Sequence, residues 1–252
     1  MTEDSAIGHI TVKALPMLLP ESLVQQDAEK KRVKRGMLGG SEERFVFGKI
    51  LYLPYLEFTY QYSSEKGFFS KQSVIAQGRS AVMALREVNL GFYPELVSFF
   101  PQLVDLEAES GSVVQGVDST ILVSERLEEL RRMLSDYDSR LRELSRQYDS
   151  LAKTDWAKQE VKENIDHLKK TRETRWKMFA DGLKLPSKID LEKFELLEGN
   201  LFYMPYFVAR FSRGGESRFL VWDRAGKEDD TIAEELMKNT KFRDLVQSNI
   251  SK

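Results

Sequence analysis

The hydrophobic residues between Val123 and Leu151 repeat with the spacing of a coiled coil. They follow one another at alternating intervals of four and three residues, and mixed charges occupy the positions between them. This spacing is held over four heptads and predicts one long amphipathic helix. The residues of the stripe are Val123, Leu127, Leu130, Leu134, Tyr137, Leu141, Leu144, Tyr148 and Leu151.

A break from Ala152 to Asp155 separates this helix from a second one. Thr154 or Asp155 can cap the second helix, which we expect from about Trp156 to Gly182 with a looser apolar stripe. Two helices of about 30 residues with a short joint predict an antiparallel hairpin, an arm on the order of 45 Å long. One uninterrupted helix is the alternative.

The predicted arm cannot bury its whole apolar stripe by itself. It packs on the rest of the chain, dimerises with a second copy, or offers the stripe to a partner. Tyr137 and Tyr148 replace leucine in the stripe and loosen it, which favours the second and third possibilities. Both tyrosines are therefore candidate partner-binding residues.

Two similar segments lie on either side of this arm. Gly48–Tyr55 reads GKILYLPY and Gly199–Tyr206 reads GNLFYMPY, a separation of 151 residues that also aligns Leu85 with Leu236 when it is kept without gaps. A register that persists over about forty residues indicates an internal duplication, or convergence on one structural unit.

Each copy predicts a long strand, a turn, a second strand and a helix. The long strands are apolar on both faces at first and half polar further on, as in a strand that leaves the core. Thr231, with Glu234 three residues later, fits a capping box at the second helix. The expected elements are Lys49–Tyr62, Ser63–Gly67, Phe68–Ile75 and Ser80–Val88 in the first copy, and Asn200–Ser212, Arg213–Glu216, Arg218–Asp223 and Thr231–Lys238 in the second.

Pro54 and Pro205 occupy the same place in the two copies. Proline lacks the backbone donor that a central strand uses, so we expect an edge or a bulge at this place. A bulge would aim Tyr55 and Tyr206 at a ligand or partner, and both are candidate partner-binding residues for that reason. The alternative is that the two tyrosines pack a corner and hydrogen-bond through their hydroxyl groups.

These patterns together predict an α+β fold in which two related lobes, each a β-hairpin plus helix, flank a long antiparallel helical hairpin. The expected divisions are a β-rich lobe at 1–118 with the first repeat at about 48–96, the arm at 119–184, and a lobe at 185–252 with the second repeat at about 199–247. Whether the two lobes share one sheet is left open.

Composition removes several kinds of chemistry. The 252 residues include no cysteine, which excludes disulfides, thiolate zinc sites, iron–sulfur clusters and cysteine nucleophiles. His9 and His167 are the only histidines, so histidine triads, zinc-protease helices and two-histidine iron sites lack their parts. Asp223 at the end of a strand and the acids Glu228–Asp230 could hold Mg²⁺, but negative charge at a helix N-terminus is a sufficient explanation of Glu228–Asp230. We expect no catalytic residue, metal or cofactor.

One dense basic cluster stands out in a chain whose formal net charge is only -2. That net charge indicates no general attraction to nucleic acid or to anionic membranes. A local run of cations can still bind a phosphate backbone, although a solvated linker is the alternative. The candidate nucleic-acid-binding residues are Lys30, Lys31, Arg32, Lys34 and Arg35.

The function favoured by these patterns is that of a non-enzymatic interaction or adaptor protein of a cytoplasmic complex, binding a protein partner or a second copy through the helical hairpin. No apolar stretch approaches the ~20 residues of a membrane span, and the acidic N-terminus does not resemble a signal peptide. The alternatives are an accessory subunit of a DNA- or RNA-handling machine and a carboxylate-based enzyme with a cleft between the lobes.

Overall fold

Long segments rich in β-branched and aromatic residues form the strands of one mixed sheet, and heptad-patterned or amphipathic segments form the helices, which gives an α+β fold. The computed structural model describes residues 9–33, 42–66, 72–88, 91–117, 121–152, 156–186, 189 and 193–250. The strands are β1 (His9–Ala14), β2 (Arg44–Lys66), β3 (Gln72–Met83), β4 (Val104–Glu109), β5 (Glu195–Arg213) and β6 (Glu216–Trp222). The helices are α1 (Glu21–Lys30), α2 (Ile121–Ser150), α3 (Trp156–Gly182), α4 (Asp230–Lys238) and α5 (Thr240–Ile250), with 3₁₀ segments at Pro94–Gln102 and Ser110–Ser112.

The centre of the sheet is the antiparallel pair of β2 and β5. β3 pairs with the outer edge of β2, and β6 pairs with the outer edge of β5, so two hairpins lie side by side. The two regions predicted as lobes therefore share one sheet, the question that the sequence left open. The division at 1–118, 119–184 and 185–252 stays a prediction.

The register of the central pair has a twofold character. Tyr52 lies opposite Pro205, and Pro54 lies opposite Tyr203. Tyr203 follows Tyr52 by 151 residues, and Pro205 follows Pro54 by the same number, so each pair joins a tyrosine of one copy to the proline of the other. An antiparallel pair formed by two equivalent strands about a twofold axis has this property.

The outer edges of the central pair repeat the same relation. Val113 forms a parallel bridge to Tyr52 of β2, and Ala14 forms a parallel bridge to Tyr203 of β5. β1 in turn pairs antiparallel with β4, the strand that precedes Val113. The segment that follows β4 thus contacts β2 through Val113, as β1 contacts β5 through Ala14.

Pro54 and Pro205 lie in the central strands, and the predicted edge or bulge at these prolines is wrong. The irregularities in the β2–β5 register lie toward the ends of the pairing instead. β3 pairs with β2 only as far as Tyr55, and β6 pairs with β5 only from Phe207 onward. Each proline faces the resulting gap in the outer ladder, where its missing donor costs no strand hydrogen bond.

One face of the sheet packs against α4, α5 and the 3₁₀ segment at 94–102. Alternate residues of the central strands lie on this face because side chains along a strand point to opposite sides. The cluster includes Leu51, Leu53, Tyr55, Phe202, Met204, Tyr206 and Val208 from the strands, and Ile232, Leu236, Phe242 and Val246 from the helices.

The opposite face is covered by α1 over β5 and by one end of the α2–α3 pair over β2. The strand residues under α1 and those under the helix pair are separated by the same 151 residues, so the two coverings occupy equivalent places. The residues covered are Phe207, Ala209 and Phe211 under α1, and Leu56, Phe58 and Tyr60 under the helix pair.

The helix predicted at Ser80–Val88 is wrong. Ser80–Met83 belongs to β3, and a turn follows. Ala81–Met83 is fully buried because both faces of β3 are covered, and a short apolar run fits such a strand as well as a helix. Leu85 then lies after a strand while Leu236 lies in α4, so the ungapped alignment does not extend this far.

The first hairpin is also longer than predicted. β2 continues to Lys66, through most of the turn predicted at Ser63–Gly67, and β3 begins at Gln72. Pairing of β3 with β2 over twelve residues satisfies the backbone groups of this extension. The strand predicted at Phe68–Ile75 is therefore displaced toward the C-terminus.

The second hairpin turns where the sequence predicts it. Gly214 and Gly215 both have positive φ, 58° and 92°, which suits the two-residue turn between β5 and β6. The N-cap of α4 is Asp229, whose Oδ1 accepts a hydrogen bond from the Ile232 amide at 3.0 Å. The capping role predicted for Thr231 is wrong.

Candidate functional site

The pair α2–α3, here called the arm, is attached to the sheet at one end. This end, the arm base, comprises residues 121–134 and 176–183. The first four heptad residues, Val123, Leu127, Leu130 and Leu134, are 2–8% exposed because they pack on β2. The Tyr60 hydroxyl donates a hydrogen bond to the Leu183 carbonyl at 2.5 Å, and burial raises the pKa of Tyr60 to about 12.

Residues 137–152 and 156–172 of the arm are here called the distal arm, and the two helices contact each other there. Arg172 donates to both carboxylate oxygens of Asp138, at 2.7 and 2.9 Å, and Lys158 lies 4.5 Å from the ring centroid of Tyr148. These contacts make the helices antiparallel and are incompatible with one uninterrupted helix. A strict coiled coil stays a prediction.

The seam of the distal arm is less well covered than that of the arm base. Val161 and Ile165 of α3 are 6% and 8% exposed, but every α2 stripe residue from Tyr137 onward is only half-buried. Tyr137 packs at the border of the arm-base cluster, whereas Tyr148 lies near the tip. The two candidate tyrosines therefore lie at opposite ends of one partly exposed seam.

The tip of the arm carries a large exposed aromatic side chain. Trp156, the first residue of α3, is 79% exposed. Lys158 fixes the nearby backbone by donating from Nζ to the Leu151 carbonyl at 2.9 Å. Sequence reasoning missed Trp156, although it lies five residues before Val161 and so off the apolar stripe of α3, which was the available signal.

Tyr55 and Tyr206 meet inside the core. Their hydroxyl oxygens are 2.9 Å apart and form a hydrogen bond, and the side chains are 1% and 4% exposed. Burial raises the pKa of both tyrosines far above the ordinary value. Neither side chain offers a surface to a partner, so we place both in the core, as in the alternative interpretation of packed, hydrogen-bonded tyrosines.

The Tyr55–Tyr206 hydrogen bond predicts a strong coupling between two substitutions. Tyr55→Phe leaves the Tyr206 hydroxyl buried without this partner and is expected to lower the free energy of unfolding by about 1–3 kcal/mol, as is Tyr206→Phe. The double variant removes both hydroxyls and is expected to lose less than the sum of the single losses. Urea unfolding measures all four proteins, and additive losses would contradict the pairing. Tyr148→Phe, in a half-buried tyrosine, is the control.

The basic cluster is only partly open to a ligand. Lys30 is exposed, Lys31 pairs with Glu228 at 2.5 Å, and Arg32 pairs with Glu42 at 3.0 Å. The remaining candidates, Lys34 and Arg35, lie outside the described residues. Two of the three described cations thus already have intramolecular counter-ions.

The acidic residues after β6 have structural roles. Asp223 Oδ1 accepts hydrogen bonds from the amides of Ala225 and Lys227, both at 2.9 Å, which closes the turn. Glu228 pairs with Lys31, and Asp229 caps α4. In the part of the chain that the structure describes, no three histidine or acidic side chains come together as a metal site.

No family model, curated protein or solved structure matches this chain. Among the described helices, none combines the length and apolar composition that a membrane span requires. A function therefore has to be argued from the geometry above.

Proposed function

We propose that this protein is a non-enzymatic interaction protein, an adaptor within a cytoplasmic complex, that binds a protein partner or a second copy of itself through the distal arm. The observation that carries the proposal is the excess length of the arm. Only the arm base packs on the sheet, and the distal arm adds a half-covered apolar seam that ends at an exposed tryptophan.

The duplication expected from the sequence supports this view. We propose that β1–β3 with α1, and β4–β6 with the arm, are two copies of one unit. The support is the register of β2 with β5, together with the parallel bridges that Val113 makes to Tyr52 and Ala14 makes to Tyr203. α1 and the arm then occupy the same place in the two copies.

The arm is much longer than α1, although the two cover equivalent parts of the sheet. α1 covers its part of β5 with ten residues, using Val24 and Ala28. α2 and α3 have 30 and 27 residues at the equivalent place on β2. Only the arm base is needed to cover the sheet, so the distal arm serves another purpose. Its exposed seam between two helices suits binding to a helical or flat protein surface.

Trp156 is the residue that we expect to anchor the partner. Tryptophan contributes disproportionately to protein interfaces because it buries a large, rigid surface at small conformational cost. At 79% exposure it makes little contribution to the fold.

Trp156→Ala is therefore expected to abolish partner binding without affecting stability. We expect partner capture, or the dimer fraction if the partner is a second copy, to fall at least about tenfold, while the free energy of unfolding changes by less than about 0.5 kcal/mol. Affinity capture from lysate of the source cells, quantified by mass spectrometry, and light scattering measure the two forms of binding.

Ile75→Ala is the matched control, since Ile75 is 70% exposed but belongs to β3 and not to the arm. It is expected to retain every interaction of the wild type. The proposal is overturned if the wild type is monomeric and Trp156→Ala captures every protein that the wild type captures.

No contact of the described residues favours the two alternative functions. The basic cluster would have to break the pairs Lys31–Glu228 and Arg32–Glu42 before binding phosphates. The junction of the two hairpins, where a carboxylate enzyme would need a polar cleft, is filled by the buried pair of Tyr55 and Tyr206.

A further inference from the structure

A cavity of about 470 Å³ lies at the arm base, at the opposite end of the arm from Trp156. It opens between α2 and α3 beside the segment at 91–92. Its size falls in the range of pockets that bind small molecules, and its walls combine apolar with charged groups. The residues that define its chemistry are Phe92, Arg126, Glu129, Met133, Arg175 and Met178.

Arg126 is an unusual member of these walls. Its Nη2 donates to the carbonyls of Leu85 and Val88, but its Nη1 is buried with no hydrogen-bond partner. Burial lowers the pKa of the Arg126 guanidinium. Burying a guanidinium without a full set of partners costs free energy, and a negative charge placed nearby offsets part of that cost.

Arg175 adds a second cation on the facing helix. Among the described residues neither Arg126 nor Arg175 forms a salt bridge, and the one acid that lines the cavity is Glu129, whose negative charge acts on Arg126 and opposes the lowering of its pKa by burial. The cavity therefore has an excess of positive charge. A carboxylate is a ligand group that guanidinium side chains bind well.

The rest of the cavity is apolar and adaptable. Phe92 contributes an aromatic ring to its walls, and Met133 and Met178 contribute flexible thioether side chains that adjust to ligands of different shape. Met178 is 64% exposed, a surface that nothing in the fold requires. An apolar ligand body would cover it.

We propose that this cavity binds a small amphipathic carboxylate, with the carboxylate at Arg126 and Arg175 and an apolar body against Phe92, Met133 and Met178. The site is independent of partner binding at the arm tip. A bound ligand would bridge α2 and α3 where they leave the sheet.

Decanoate is a suitable probe, because it has both a carboxylate and an apolar body. Decanol lacks the charge and acetate lacks the apolar body, so they test the two features separately. We expect decanoate to saturate the site and shift the ¹³C-methyl NMR signals of Met133 and Met178. Decanol, without the charge, is expected to bind at least about tenfold more weakly, and acetate, without the apolar body, to cause no saturable shift. Equal binding of decanol and decanoate would overturn the proposal, as would no saturable shift with decanoate.

Variants test the two arginines separately. Arg126→Gln is expected to weaken decanoate binding at least about tenfold, and Arg175→Gln, in a more exposed residue, about three- to fivefold. Lys177→Gln removes the same charge from the same helix outside the cavity and is expected to have no effect. Arg126 also binds two backbone carbonyls, so Arg126→Gln could fail to fold, and the test then rests on Arg175→Gln. If Arg175→Gln weakens decanoate binding no more than Lys177→Gln does, the proposed site is wrong.

Discussion

Phe58→Ala is expected to lower the free energy of unfolding by about 3–5 kcal/mol, the usual range for truncating a buried phenylalanine. Phe58 is fully buried at the point where β2 meets the arm base. Its ring lies 5.7 Å from the ring of Phe92 and 6.0 Å from that of Tyr60. The cavity left by the substitution would lie under α2 and α3, so the arm loses support together with the sheet.

Urea unfolding measures the loss of stability, and hydrogen exchange shows where it acts. We expect amides of the arm base to exchange faster in Phe58→Ala than in the wild type, because the arm base depends on this contact. Ile75→Ala, an exposed truncation on β3, should change stability by less than about 0.5 kcal/mol. A loss below about 1 kcal/mol in Phe58→Ala would mean that the arm base does not depend on Phe58.

The helices of the arm could be predicted from sequence because their periodicity records burial directly. The stripe from Val123 to Leu151 predicts α2, and the break that follows places the start of α3 at Trp156, where it lies. Periodicity does not say what covers a stripe. The sheet covers its first four residues, and α3 half-covers the others, a distinction that depends on contacts with distant parts of the chain.

The strands were harder to predict because their partners are remote in sequence. A repeat predicts two similar hairpins but cannot say that their first strands pair with each other. That pairing explains why Pro54 and Pro205 are tolerated in central strands and why Tyr55 and Tyr206 meet. It is also the reason why Ala81–Met83, covered on both faces, forms a strand and not the predicted helix.

Candidate site residues were predicted with less success than secondary structure. The heptad pattern places Arg126 among the mixed charges between the stripe residues of α2, yet it is partly buried under the turn after β3. Nothing in the local pattern distinguishes it from Glu125 or Arg132, because the turn that covers it lies about forty residues earlier. Trp156, by contrast, has a local signal in the sequence, since an aromatic residue that lies off the apolar stripe of its helix is not buried with that stripe.

The protein is expected to lose about 5 kcal/mol of stability between about pH 8 and about pH 11. Four tyrosines, Tyr55, Tyr60, Tyr93 and Tyr206, have a pKa that burial raises above the ordinary value, to about 12 for Tyr60. Above about pH 10 the unfolded chain loses these protons and the folded chain keeps them. Stability is therefore full below about pH 10 and falls as the pH rises, by up to about 1.4 kcal/mol per pH unit for each tyrosine.

Urea unfolding at a series of pH values measures this loss, and tyrosinate absorbance identifies its source. Tyr55, Tyr60, Tyr93 and Tyr206 are expected to ionise only as the protein unfolds, so their tyrosinate absorbance should rise together with unfolding. Tyr206→Phe removes one of the four groups and should reduce the loss by about a quarter. If stability is the same at about pH 8 and about pH 11, or if Tyr206→Phe has the same pH dependence as the wild type, these tyrosines do not retain their protons in the folded state.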